Sequence, residues 1–379
     1  MSTTRTVQRW AARISLGLLA IVVAFGGYVY LTLGGGEPYP DVGGAPTSKI
    51  EVFAEMELPV GNVTASPQGR VFFDLHPFAG PHRFTDATVF EWVDGEPVPY
   101  PDLQTQPELV GALGMTADLH DRLWVVAPAG LEDRPSRLWC FDLRTNTLLF
   151  REDLPESAGM FPQDLRVTPD GNTVILADTG AFSLADPAIV VFDVQTRRVR
   201  RVLENHPSVV AQPWQLQLDD GPYTLAYGLV TFAVGVDGLA VSDDGQWLYY
   251  AAMSHDGLFR VPISVLRDDS ADVAAAVERV GTKPLSDGIE IDPEGNVFVT
   301  DVEHGGLVRI DPRGQLQTIA RSDEVVWADG VTRLPDGTLL FTDSRIPAYI
   351  DPLLRPPSRA ALDDAAPHRI YAVASHSTR

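Results

Sequence analysis

Asp287-Gly288-Ile289-Glu290-Ile291 runs into the turn Pro293-Glu294-Gly295 and out again through Val297-Phe298-Val299-Thr300-Asp301. Short strands rich in β-branched and aromatic residues on either side of a Gly turn make an antiparallel hairpin. The unit recurs. Asp329-Gly330-Val331 turns at Pro335-Asp336-Gly337 into Leu339–Asp343, and Asp164-Leu165-Arg166-Val167 turns at Pro169-Asp170-Gly171 into Val174–Asp178. In all three, 14 positions separate the opening Asp from the closing Asp. Asp237-Gly238-Leu239 opens a fourth copy and Asn62-Val63-Thr64 another. Gly114-Met115-Thr116 opens the weakest, which leads to Leu123-Trp124-Val125-Val126.

Each hairpin is followed by a third strand: Thr88–Trp92, Leu138–Leu143, Ile189–Val194, Leu258–Pro262, Leu307–Asp311 and Arg369–Val373. Val199–Glu204 and Leu316–Ala320 read as fourth strands. Six units of about four strands predict an all-β, six-bladed β-propeller, in which radial repetition protects the sheet edges. A β-sandwich leaves six equivalent hairpins unexplained. Ile50–Leu58 precedes the first unit with no partner of its own, so it is assigned to the last blade as its outermost strand, closing the ring. Two insertions interrupt the repeat, His206 to Gly235 and Ile346 to Pro367. Long loops on a rigid β scaffold commonly cover or shape a binding site.

Ahead of the propeller lies an N-terminal transmembrane helix. Arg5, Arg9 and Arg13 precede an uncharged run from Ile14 to Leu33, long enough to cross a hydrocarbon core of roughly 30 Å. Positive charge before the run holds the short end in the cytoplasm and sends the rest across. The expected organisation is a cytoplasmic stub and anchor over 1–33, a Gly/Pro-rich tether over 34–47, and the propeller over 48–379, on the extracytoplasmic side. Secretion after signal cleavage is the alternative. The net charge of −22 disfavours nucleic acid, which needs clustered Lys and Arg. The single cysteine, Cys140, rules out an intrachain disulfide framework, and Leu138-Trp139-Cys140-Phe141 reads as a buried strand.

Gly235-Val236-Asp237-Gly238-Leu239-Ala240-Val241, followed by Leu258-Phe259-Arg260-Val261-Pro262 and Leu266-Arg267, resembles a blade of the yellow/major royal jelly family. The resemblance spans roughly Val60 to Val373, without the disulfide cysteines of the insect members. A more distant likeness is to the gluconolactonase/senescence-marker-protein propellers, which are calcium- or zinc-dependent lactonases. Their metal-ligand pattern would fall on Asn62, Asp164, Asp237 and Asp287. Asn stands at the acidic position, and Asp stands at both Asn positions.

In a propeller, inner strands start at the channel mouth and their hairpin partners end there. Asn62, Asp164, Asp237, Asp287 and Asp329 should therefore converge, with the closing residues Asp178, Asp301 and Asp343 behind them. Two carboxylates 4 Å apart repel by about 4 kcal/mol at an effective dielectric near 20. Such a ring takes up protons or admits a cation, and calcium, with its demand for six to eight oxygens, is the expected ion. The alternative for each Asp is a turn or loop cap accepting backbone N–H groups; Asp170, Asp244 and Asp336, in the hairpin turns, are read only that way. Glu303 and His304 follow Asp301 on the active face, making Asp301, Glu303 and His304 the candidate catalytic residues, with His304 as general base. His255, Asp329, Asp178 and Asp343 are the candidates for contacting substrate. His76, His82, His120, His206, His368 and His376 carry no pattern. The resemblances imply a small-molecule substrate and either lactone-type hydrolysis or isomerisation of a catechol-derived compound. A non-catalytic module capturing an amine-like ligand or a protein partner is the competing expectation.

Overall fold

The computed structural model describes residues 2–131, 134–219, 221–350 and 355–374, with backbone alone at 2–9, 11 and 12. Six four-stranded antiparallel sheets are arranged as blades around an axis, and their inner strands contact one another in ring order. In chain order the inner strands are Val60–Ala65, Gly114–Ala117, Pro162–Val167, Val236–Val241, Ile289–Ile291 and Ala328–Arg333. Each expected third strand is present within a residue or two of its expected bounds. Glu51–Met56 pairs with His368–Val373 at the outside of the sixth blade, so the first strand of the propeller closes the ring.

The core lies between the blades. Trp124, Trp139, Phe72, Phe73, Phe141 and Phe192 are fully buried there, each contributing about 2 kcal/mol of apolar burial. Cys140 is buried among them in the strand Arg137–Asp142. The turn aspartates cap their own hairpins: Asp170 accepts from Thr168 and Asn172, Asp244 from Ser242 and Gln246, and Asp336 from Thr338.

Packing explains the recurrent Asp-Gly pair better than turn formation does. A Cβ at Gly238 would lie 2.8 Å from Asp287 O, and one at Gly288 would lie 2.6 Å from Asp329 O. At Gly330 it would meet Asn62 Oδ1 at 2.9 Å. Glycine lets neighbouring inner strands approach this closely. Four inner strands also break register at their opening residues: between Val60 and Val63, Pro162 and Asp164, Val236 and Leu239, and Ala328 and Val331. Bulges of this kind re-aim side chains, and here they free Asn62, Asp237 and Asp329 from the ladder, and Gln163 in the third blade, where Asp164 stays paired with Ala177.

The helix Ser2–Leu33 precedes the propeller, and its stretch Arg13–Leu33 is long and apolar enough to cross a membrane. The segment after it docks onto the propeller's cap. Glu37–Pro38 pairs in parallel with Trp214–Gln215, Tyr39 packs edge-on against Trp214 at 4.9 Å, and Arg321 holds Asp41 in a two-point ion pair. Both insertions fold over the same end of the axis. Leu216, Leu225, Phe232 and Val234 from the first join Ile346, Tyr349, Ile350 and Leu362 from the second in one apolar cluster with Tyr39 and Trp327.

Candidate functional site

Beneath this lid, Asn62, Asp164, Asp237, Asp287 and Asp329 line one small axial cavity with Gln163 and Arg166. The opening residues therefore converge as their spacing implies. All four carboxyls are buried, and they are held in different ways. Asp164 accepts the Leu165 and Leu239 N–H groups and Arg166 Nη1 at 2.8, 3.1 and 2.9 Å. Asp237 accepts Gln163 Nε2 at 2.9 Å, and Asp287 accepts the Trp327 indole N–H at 2.8 Å.

Asp237 and Asp287 line the same cavity, and each influences the other's titration. Burial, then the Asp287 charge, pushes Asp237 well above the usual carboxylate range. Burial lifts Asp287 to about 6, opposed by the bonds from Trp327 and Asp237. Two adjacent buried carboxyls resist ionising together, which favours a single proton held by the pair. Asp329 is likewise raised by burial. Around it stand Asp74 Oδ2, Ser344 Oγ and Tyr349 OH, all buried and without a well-formed hydrogen bond among the described residues, with Ser344 close to both Asp329 and Tyr349.

A second cavity, of about 30 Å³, lies on the lid side and shares Gln163, Asp237 and Asp287 with the first, of about 20 Å³. Its other walls include Phe78, Phe161, Phe182, Phe232, Trp327 and His76. Each space has room for roughly one or two waters, so the lid is closed. His76, which follows no pattern in sequence, packs against Tyr349 at 5.3 Å between centroids and is held near pKa 3 by burial.

The remaining sequence candidates line neither cavity. Asp178 and Asp343 are loop caps. Asp178 accepts the Phe161 N–H and pairs with Arg201, and Asp343 accepts the Val326 and Trp327 N–H groups. Asp74 does the same for Asn62 in the first blade. Asp301 is held by His304 Nδ1 at 3.0 Å and Arg321 at 2.7 Å, in a network that ends on Asp41 rather than on the axis. Asp301, first among its influences, raises the His304 pKa. Glu303 accepts the Gln217 N–H at 2.7 Å and is lifted to about 7 by burial, which places it under the lid's outer edge. His255 is buried, accepts the Gly257 N–H at Nδ1, and is lowered to about 4. Its Nδ1 approach to Asp256 is thus not an ion pair.

The expected calcium set does not fit a resident divalent ion. Among the described residues no three His, Cys, Asp or Glu side chains are grouped to hold a metal. Asp164 already accepts two amides and a guanidinium, Asp237 and Asp287 each take a neutral donor, and Arg166 supplies compensating charge. Sequence reading missed Gln163, Arg166, Trp327, Tyr349 and Ser344, which orient or surround the ring. It also missed Lys283, wholly buried behind the ring, where its ammonium donates to the Met253 and Pro284 carbonyls.

Solved structures share this architecture. A gluconolactonase from Xanthomonas campestris is 14% identical, with 90% of this chain and 98% of that one covered at a TM-score of 0.55. A putative gluconolactonase is 12% identical, with coverage of 91% and 98% and a TM-score of 0.53. A luciferin-regenerating enzyme is also 12% identical, with coverage of 87% and 96% and a TM-score of 0.53. At such identities the likeness is one of fold. No curated protein matches the sequence. The model of the family described as major royal jelly protein matches residues 110–349, which take in the second to fifth blades and both Asp-Gly units that build the carboxyl pair. The chain belongs to the major royal jelly protein family.

Proposed function

We propose that the chain is a membrane-anchored, extracytoplasmic enzyme that moves protons on a small, flat, hydroxylated molecule bound beneath the lid. The observation that carries this reading is the Asp237–Asp287 pair. Burial and mutual repulsion raise both carboxyls, so one stays neutral as an acid while its neighbour serves as a base, at the foot of a cavity walled by aromatic rings. A pair of this kind supplies both an acid and a base near neutral pH. Trp327 and Gln163 position it. Isomerisation of a catechol-derived compound uses this acid–base pair directly. Lactone hydrolysis, which the gluconolactonase-like fold suggests, would need a water activated by the same pair. Capture of an amine without chemistry is the second reading, because aromatic walls over a carboxylate also suit an ammonium group.

The test is a panel of catechol-derived quinones and sugar lactones, scored by absorbance change and by acid release. Turnover should fall at least 100-fold in Asp237→Asn and in Asp287→Asn, while Asp336→Asn keeps wild-type rates. Ligand-dependent thermal shifts with no turnover of any compound would favour the binding module.

A further inference from the structure

The lid and the membrane helix are one continuous structure. The helix ends at Leu33, and the Gly35 carbonyl already accepts a hydrogen bond from Thr231 Oγ1 of the lid. Glu37 N then donates to Pro213 O at 3.0 Å, and the helix itself contacts the lid strand Val230–Thr231. Only Gly34 lies between the end of the apolar span and that first bond, and the two residue steps from Leu33 to Gly35 reach at most about 7 Å. The polar layer outside the hydrocarbon core is roughly 5–8 Å deep on each side. If Arg13–Leu33 spans a bilayer, Thr231 lies inside that polar layer and the lid has no room to stand clear of it.

The surface of the lid suits that position. Tyr227 and Leu229, flanking Gly228 in the lid, are 73% and 39% exposed. Leu184, on the adjoining loop, is 70% exposed, while its neighbour Phe182 packs under the lid against Phe232 at 5.1 Å. Tyr227 sits at φ 57°, and Ala181, Phe182 and Ser183 run at φ 47°, 57° and 65°, so both loops hold a backbone conformation that costs non-glycine residues about 1 kcal/mol or more. Tyr28 and Tyr30 occupy the end of the helix beside them. Tyrosines are favoured at headgroup depth, where the ring is apolar and the hydroxyl wet.

We infer that the lid face rests on the bilayer surface, with Tyr227, Leu229 and Leu184 in its interface, so that the axial site opens toward the membrane. This rests on the anchor in the reading above, and not on the chemistry assigned to the ring. With a net charge of −22 the docking is apolar rather than electrostatic, so zwitterionic lipid is the appropriate probe.

The full chain is reconstituted into phosphatidylcholine liposomes carrying a headgroup-proximal spin-labelled lipid. A polarity-sensitive fluorophore is attached to Tyr227→Cys or, as control, to Leu119→Cys in a hairpin turn at the opposite mouth; Cys140 is buried and stays unlabelled in the folded protein. Quenching by the spin-labelled lipid should be several-fold stronger at 227 than at 119, and insensitive to salt. Equal, weak quenching at both positions in liposomes that carry the protein on flotation overturns the docking and leaves the anchor standing. Failure to float with the liposomes overturns both.

Discussion

Replacing Lys283 with methionine should raise the stability of the propeller at neutral pH. Burial lowers the Lys283 ammonium to about 7, against the pull of Asp256, Asp237, Asp301 and Asp287. That displacement from 10.5 is worth on the order of 4 kcal/mol. Below about pH 7 the lysine is protonated in both states, and the folded protein carries the whole desolvation cost. Between 7 and 10.5 the unfolded chain binds the extra proton, so wild-type stability rises with pH in that window. Lys283→Met removes the cost and the slope together. Met253 O keeps its bond from Ser286 N–H, but Pro284 O loses its partner, which offsets about 1 kcal/mol. The expected net gain is about 3 kcal/mol at pH 7, fading toward pH 9, as read by denaturant unfolding at several pH values. A variant that loses stability equally at both pH values would show that the ammonium is anchoring structure.

Arg166→Met should have a large effect of the opposite sign. Arg166 is the cation of the ring, bonded to Asp164 and reaching Ile289 O. Without it Asp164 keeps two amide donors but faces the other carboxyls alone. Breaking one side of a buried pair costs about 3–5 kcal/mol. Burial already raises the Asp164 pKa, and Arg166 is the main influence opposing it, so its loss raises that pKa further. A raised carboxyl contributes its stability below the unfolded pKa and loses it as pH climbs through the folded value. The deficit of Arg166→Met relative to wild type should therefore grow from pH 5 to pH 8. Adding Asp164→Asn to the variant should recover most of it, a coupling that a double-mutant cycle measures directly. A deficit that is independent of pH and of Asp164 would reduce Arg166 to packing.

The propeller was legible because its signal is repeated. Six hairpins with Gly turns at matching offsets force the blade count, and Ile50–Leu58, lacking any local partner, could only close the ring. The opening residues were legible for the same reason: position in the repeat determines position at the axis. The closing residues follow the same spacing yet serve as caps, because the second strand ends one layer outside the channel, where loop amides await acceptors. Spacing alone cannot separate those layers. Asp301, Glu303 and His304 look like an active-face triplet in sequence, but the docked segment at Asp41 and the lid at Gln217 bind them from outside. Both partners are remote in the chain. Trp327 and Tyr349 left no trace in the pattern, since they pack with or belong to insertions outside the repeat, and Lys283 sits in a connection between blades where no repeat position marks it. The cation expectation left out Arg166, whose charge reaches the ring from two residues beyond Asp164 on the same strand.

In the proposed mechanism Asp237 and Asp287 hold one proton between them at neutral pH without a metal. Infrared spectroscopy of the full chain in detergent at neutral pH reads it directly, through the carbonyl stretch of buried protonated carboxyls. The account predicts such a signal in the wild type, smaller by one carboxyl in Asp237→Asn and unchanged by excess calcium or by chelator. Absence of the signal, or its loss on adding calcium together with stabilisation approaching about 2.7 kcal/mol at a hundredfold excess over the dissociation constant, would contradict it and return the ring to a cation.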